Sequence, residues 1–170
     1  MSNLNSPLSN YKITLSYDGR AFLGWQRHGD KPTVQFALEQ AVTKVFDVRV
    51  PVQGSGRTDR GTHAHGQVAS LQLPAGTQPE LIKEKINQVL PAEVRVVDVS
   101  CASNDFHACD SAIAKHYRYV IWNDSKLPAG HDGRVWHVKT PLDVQAMCEA
   151  CSIFVGEQDF ASFATRTNFK

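Results

Sequence analysis

No stretch of apolar residues in this 170-residue chain approaches the roughly 18 that a membrane-spanning helix needs. Even runs such as Ser152-Ile153-Phe154-Val155 fall far short. The opening residues, Met1 to Pro7, carry neither the basic nor the apolar stretch of a secretion signal. Neither sign of charge dominates: 18 Lys and Arg oppose 17 Asp and Glu, for a formal net charge of +1. A whole-molecule pull on nucleic acid is therefore excluded, and any RNA binding has to draw on local positive potential. The four cysteines are too irregularly spaced for a disulfide framework. Reduced thiols, no membrane segment and a cytoplasmic setting are the expectation. There is no low-complexity tract and no short internal repeat. What remains is an ordinary globular mixture, 42% apolar and 21% charged. Its length suits one domain, or one domain and part of a second.

Hydrophobic periodicity organises the chain. Residues 1–9 read as a loose polar tail. Tyr11, Ile13, Leu15 and Tyr17 then alternate on one face of a strand that Asp18-Gly19 stops. A loop with Phe22, Trp25, Gln26 and Arg27 leads to a helix that Thr33 is placed to cap. On it Val34, Leu38, Ala41, Val42 and Val45 share a face. A second strand is expected over 48–52, a glycine-rich loop over 54–66 and a third strand over 68–73. Thr77 and Glu80 have the spacing of a capping box, opening a helix with Leu81, Ile82, Ile86, Val89 and Leu90. A fourth strand is expected over 94–99. The order β-α-β-β-α-β predicts an α+β fold: a ferredoxin-like split βαβ antiparallel sheet with both helices on one face. Residues 10–100 form this domain. Residues 101–170 are expected to begin a second such unit, with a strand over 114–122 and a helix over 143–155 closed by Gly156.

The densest chemistry lies in Gln53-Gly54-Ser55-Gly56-Arg57-Thr58-Asp59-Arg60-Gly61-Thr62-His63-Ala64-His65-Gly66. A hairpin turn needs about two residues of special conformation, not a tract of this length. Asp59 lies between Arg57 and Arg60, which favours an ionised carboxylate. Such a group is either one half of a structural Arg–Asp pair or a nucleophile that needs no partner base. His63 and His65 suit phosphate contacts, metal ligation or an ordinary loop. Lys115-His116-Tyr117-Arg118-Tyr119 interleaves cations and aromatics. That pattern suits either base stacking with phosphate binding or one aromatic core face. Cys148 and Cys151, at i and i+3 on the predicted helix, read as core. A zinc deaminase is excluded, because His63-Ala64-His65 has no Glu and Met147 stands where the motif needs Pro. An RRM-type binder is a poor fit, because its aromatic motif is missing from the third strand.

Gly56-Arg57-Thr58-Asp59-x-Gly61-x-His63-Ala64-x-x-Gln67-Val68 is close to a known signature, G-R-T-D-x-G-V-H-A-x-x-Q-V. On it the chain resembles the tRNA pseudouridine synthase A family of the pseudouridine synthase superfamily. Supporting matches run in order: Gly24-Trp25-Gln26-Arg27, Val34-Gln35, Leu90-Pro91, Phe106-His107-Ala108, Tyr117-Arg118-Tyr119 and Gly156-x-x-Asp159-Phe160-x-Ser162-Phe163. Thr62 stands where the family usually has Val, and Cys109-Asp110 where it has Arg-Phe. The resemblance implies an isomerase that converts uridine to pseudouridine in the anticodon stem-loop region of tRNA, with no metal or organic cofactor. It implies that Asp59 is catalytic, by attack at C1′ or by removal of a 2′ proton. It further implies that Tyr117 stacks on the base, that Arg57 orients Asp59 and with His63 contributes to substrate binding, and that the protein is a homodimer. The resemblance covers an N-terminal portion of the family. A truncated relative acting as an RNA-binding or oligomerising module is the alternative.

Overall fold

The computed structural model describes residues 7–163; the first six residues of the expected tail and the polar segment 164–170 lie outside them. The chain divides between Arg118 and Tyr119 into two compact units.

The first unit is built on β1 (Leu8–Tyr17). Its alternation sends Tyr11, Ile13, Leu15 and Tyr17 into the core, all nearly inaccessible to solvent. The strand begins at Leu8 because Leu8 finds a ladder partner in Pro74. After the capped helix α1 (Val34–Phe46) come β2 (Gln53–Gly54), β3 (Ala64–Pro74), α2 (Pro79–Val89) and β4 (Val94–Cys101). The sheet order is β2-β3-β1-β4, with every neighbour antiparallel. Val34, Leu38, Ala41 and Val42 of α1 and Ile82 and Ile86 of α2 join the β1 face in one core. This is the expected split βαβ arrangement.

Local capping explains the helix starts. Thr33 Oγ1 accepts from the Phe36 N–H at 3.3 Å, as its side-chain type predicts. The capping box at the second helix does not form. Gln78 is the N-cap residue and makes no side-chain cap bond; Pro79 supplies the preset φ instead. Thr77 Oγ1 turns back to the Pro74 carbonyl at 2.6 Å.

The second strand differs from the expected 48–52. Pairing is limited to Gln53↔Ser70 and Gly54↔Ala69. Pro51 has no N–H to give a ladder, and the Val52 backbone is claimed by side chains. Its N–H donates to Glu39 Oε1 at 3.2 Å, and its carbonyl accepts from Gln35 Nε2 at 3.0 Å. Val52 remains fully buried. Hydrophobic periodicity located the buried face, but not the pairing.

In the second unit, β5 (Ile121–Asn123) pairs in parallel with β6 (Trp136–Val138), and α3 (Val144–Ser152) follows. The expected strand over 114–122 is thus realised only at its end. Aromatic and β-branched residues favour strand only where a neighbour offers hydrogen bonds and packing. Asn123 is the organiser: its Nδ2 donates to the Val138 and Thr140 carbonyls at 2.9 and 2.7 Å, and its Oδ1 accepts from the Leu142 N–H at 3.1 Å. Asp143 caps α3 through the Ala146 N–H at 2.9 Å. The helix ends before residue 155, and Gly156 takes the positive φ that ends the following turns. No residue of α3 is buried, so Cys148 and Cys151 are exposed rather than core. Among the described residues no helix is long and apolar enough to cross a membrane.

Because β1 is paired on both sides and Ile13 is fully buried at its centre, Ile13→Ala should cost about 2–5 kcal/mol. Urea unfolding followed by circular dichroism would measure it; a loss below about 1 kcal/mol would show that the site collapses around the cavity.

Candidate active site

The loop between β2 and β3 carries Arg57, Asp59 and His63, and three sets of contacts hold it. At its base the Ser55 N–H donates to the Val68 carbonyl at 2.8 Å, and Gln67 Nε2 donates to the Gly56 carbonyl at 2.7 Å. In the middle Thr58 is gripped from the core side. Its carbonyl accepts from the Trp25 N–H at 2.9 Å, and its hydroxyl shares a 2.8 Å hydrogen bond with the Tyr17 hydroxyl. Trp25 is almost completely buried and tilted against Tyr17, with ring centroids 6.4 Å apart. Burial raises the Tyr17 hydroxyl above the ordinary tyrosine pKa, so it remains a neutral partner for Thr58.

This grip requires glycine at 24. Its φ is +96°, and a Cβ there would lie 2.7 Å from the Thr58 carbonyl oxygen and 3.3 Å from the Arg60 nitrogen. Gly54 makes the matching concession to the Trp25 indole, which a Cβ would meet at 2.5 Å. The preceding loop is itself fixed to α1. Gln35 Oε1 accepts from the Arg27 N–H at 2.8 Å and from Gln26 Nε2 at 3.0 Å. Arg27 Nη1 donates to Glu39 Oε2 at 2.8 Å, and its guanidinium lies 4.9 Å from the Phe36 ring centroid.

At the far end the Thr62 N–H turns back to the Asp59 carbonyl at 3.1 Å. Gly19 lies so close that a Cβ would collide with the Thr62 carbonyl. Asp18 then joins the two loops. It accepts from Arg20 Nε at 2.9 and 3.1 Å, and His63 Nδ1 lies 3.3 Å from its Oδ1. The Arg20 hydrogen bonds, aided by the charges of Arg20 and His63, hold the Asp18 carboxyl well below the usual carboxylate range.

The anchored residues contrast with those left open. Asp59 is exposed, and among the described residues its carboxylate makes no hydrogen bond or ion pair. The structural Arg–Asp pair that the sequence allowed is not formed: neither Arg57 nor Arg60 engages Asp59. Arg57 and His65 are exposed as well. Tyr117 is 69% exposed and close enough to Tyr17 to raise its pKa further. His63 is half-buried against Asp18 rather than free in the loop. Sequence reasoning missed Asp18, Tyr17 and Gly24 as parts of the site. Asp18-Gly19 signalled only the end of a strand, and Tyr17 only a core position. Among the described residues no group of three or more His, Cys, Asp or Glu is placed to hold a metal ion.

The split βαβ sheet thus presents an exposed, unpaired aspartate on an anchored glycine-rich loop. Residues 13–109 match the family model described as tRNA pseudouridine synthase. The chain is 45% identical over 162 residues to the tRNA pseudouridine synthase A of Methylacidiphilum infernorum, covering 95% of this chain and 64% of that protein. It is 43% identical over 154 residues to the enzyme of the same name from Rhodospirillum rubrum, covering 90% and 55%. The corresponding protein of a Geobacter strain is 40% identical over 156 residues, with 92% and 63% covered. The chain belongs to the tRNA pseudouridine synthase family. It spans between 55% and 64% of the length of these three relatives.

Two outcomes follow from the clamp. Gly24→Ala should destabilise the unit by about 1–3 kcal/mol, since it adds both a strained φ and a clash. Amide exchange should show the Thr58–Thr62 segment opening more than the β1–β3 ladder; uniform opening would mean that the loop is not separately clamped. Asp18 has a lowered folded pKa, so its contribution is fully present above about pH 3.9, the unfolded value. It is lost as the pH falls below that. Thermal melts between pH 2 and 6 should therefore fall more shallowly for Asp18→Asn than for the wild type; parallel curves would remove Asp18 from the clamp.

Proposed function

We propose that the chain is a tRNA pseudouridine synthase, an isomerase that acts on uridine in the anticodon stem-loop region through Asp59. The observation carrying this reading is the unpaired, exposed carboxylate on a loop held at Gly56, Thr58 and Thr62. A carboxylate with no donor to satisfy it is available to a carbon electrophile. Asp59 Oδ attacks the ribose C1′ and the N1–C1′ bond breaks, its electrons staying with the uracil. The uracil rotates, C5 bonds to C1′, and the aspartyl oxygen leaves. The C5 proton is lost and N1 takes one up, so atoms balance without a redox partner.

Reaching such a loop requires the base to leave its stack, at a cost of a few kcal/mol. Tyr117 offers an aromatic face for the extruded base, worth about 1–3 kcal/mol per stacked base. Arg57 and His63 bind the substrate backbone, His63 with its ring orientation set by Asp18. The reaction calls on no metal or organic cofactor, takes place in the cytoplasm, and is carried out by a homodimer. The names of the relatives support tRNA as the substrate.

A second reading is a non-catalytic RNA-binding or self-associating module. It is favoured by the apolar side chains that the second unit leaves exposed, among them Val144, Ile153, Val155 and Phe163. Tritium release from C5-labelled tRNA separates the two. Under the first reading the chain releases tritium, and Asp59→Asn abolishes release while leaving the melting temperature nearly unchanged. Release that survives Asp59→Asn would remove Asp59 from the chemistry. Binding without any release from the wild type would favour the module.

A further inference from the structure

Lys115 is the cation whose place beside the Asp59 loop is best defined. A Cβ built on Gly56 would lie 3.4 Å from Lys115 Nζ, 3.6 Å from Cε and 3.8 Å from Cδ. The stem and ammonium of Lys115 therefore lie along the glycine backbone three residues before Asp59. That glycine is itself pinned by Gln67, so the surface beneath the lysine is fixed. Among the described residues the Lys115 ammonium makes no hydrogen bond and no ion pair. Two cations of the preceding loop are committed, Arg20 to Asp18 and Arg27 to Glu39, whereas Arg57, like Lys115, has no carboxylate partner among the described residues. Two residues further along the chain stands the exposed ring of Tyr117.

An unneutralised ammonium held against a loop without a side chain is a point charge awaiting an anion. An ammonium is a phosphate binder of the point-charge kind, and the neighbouring aromatic face of Tyr117 favours a nucleotide as the bearer of that phosphate. We infer that Lys115 binds the backbone phosphate of the nucleotide whose base stacks on Tyr117, thereby fixing the ribose over Asp59. The inference rests on the reading of tRNA as the substrate and gives a single role to a residue that the sequence placed only in a stretch of interleaved cations and aromatics.

The test is the salt dependence of binding by the 170-residue chain to an unmodified tRNA transcript. One phosphate contact contributes about 0.7–0.9 to the slope of log affinity against log salt. Lys115→Met keeps the stem but removes the charge, so its slope should be shallower by about that amount. Over a fourfold rise in salt the wild type should then lose about threefold more affinity than the variant. Lys115→Arg should keep the wild-type slope. Lys85→Met, on the exposed side of α2, should also keep it, because that lysine is far from the loop in sequence and lies on a helix outside the site. Normal binding with an unchanged slope in Lys115→Met would overturn the assignment and leave the proposed substrate standing. No tRNA binding by the wild-type chain would overturn both, and tritium release from the wild type would then be absent as well.

Discussion

The close approach of the Gly24 backbone to Thr58 is the contact on which the rest of the site depends. Without a Cβ at 24, the Trp25 N–H reaches the Thr58 carbonyl and the indole sinks into the core beside Tyr17. Tyr17 then meets the Thr58 hydroxyl. A residue adjacent to the candidate nucleophile is thereby joined to the most buried part of the first unit, although Asp59 itself stays in solvent. Loops that carry function generally need this division, with a rigid base and an open tip. Here the base is formed by one strand end, one aromatic pair and three glycine contacts.

The same division governs the charges. With a net charge of +1, binding an anionic polymer cannot rest on the molecule's overall field. The structure sorts its cations instead. Arg20 and Arg27 are spent on Asp18 and Glu39, where they hold the loops that surround the site. Arg57 and Lys115 are left without carboxylate partners among the described residues. Pairing the first group lowers the local repulsion that a cluster of cations would create.

The second unit shows how far local structure can be set without a core. Asn123 ties β5 to the chain after β6 through three hydrogen bonds, and Asp143 starts α3. The Asn123 bonds reach across 15 to 19 positions of the chain, and the Asp143 cap across three. Burial does not follow, because α3 has no apolar surface packed over it and its cysteines remain exposed. Side chains that would read as interior from their spacing lie at the surface, which is where hydrophobic association with another surface would act.

Alternation and helical periodicity were enough to define the first unit from the sequence alone. The faces of β1, α1 and α2, and the order of elements, are local properties of residue spacing, and burial of one face selects the register. The signature around Asp59 was equally legible, because glycines and charged residues so dense have few structural uses. The Thr77–Glu80 capping box and the 48–52 strand were not decided locally. Thr77 found a nearer acceptor in Pro74, and the Val52 backbone was taken by Gln35 and Glu39, thirteen or more positions away in the case of each bond. Nor could spacing foresee that Asp18 would hold His63, or that Arg57 would leave Asp59 unpaired. Partners brought together by chain reversal compete for the same donors and acceptors, and only the assembled fold determines which of them are within reach.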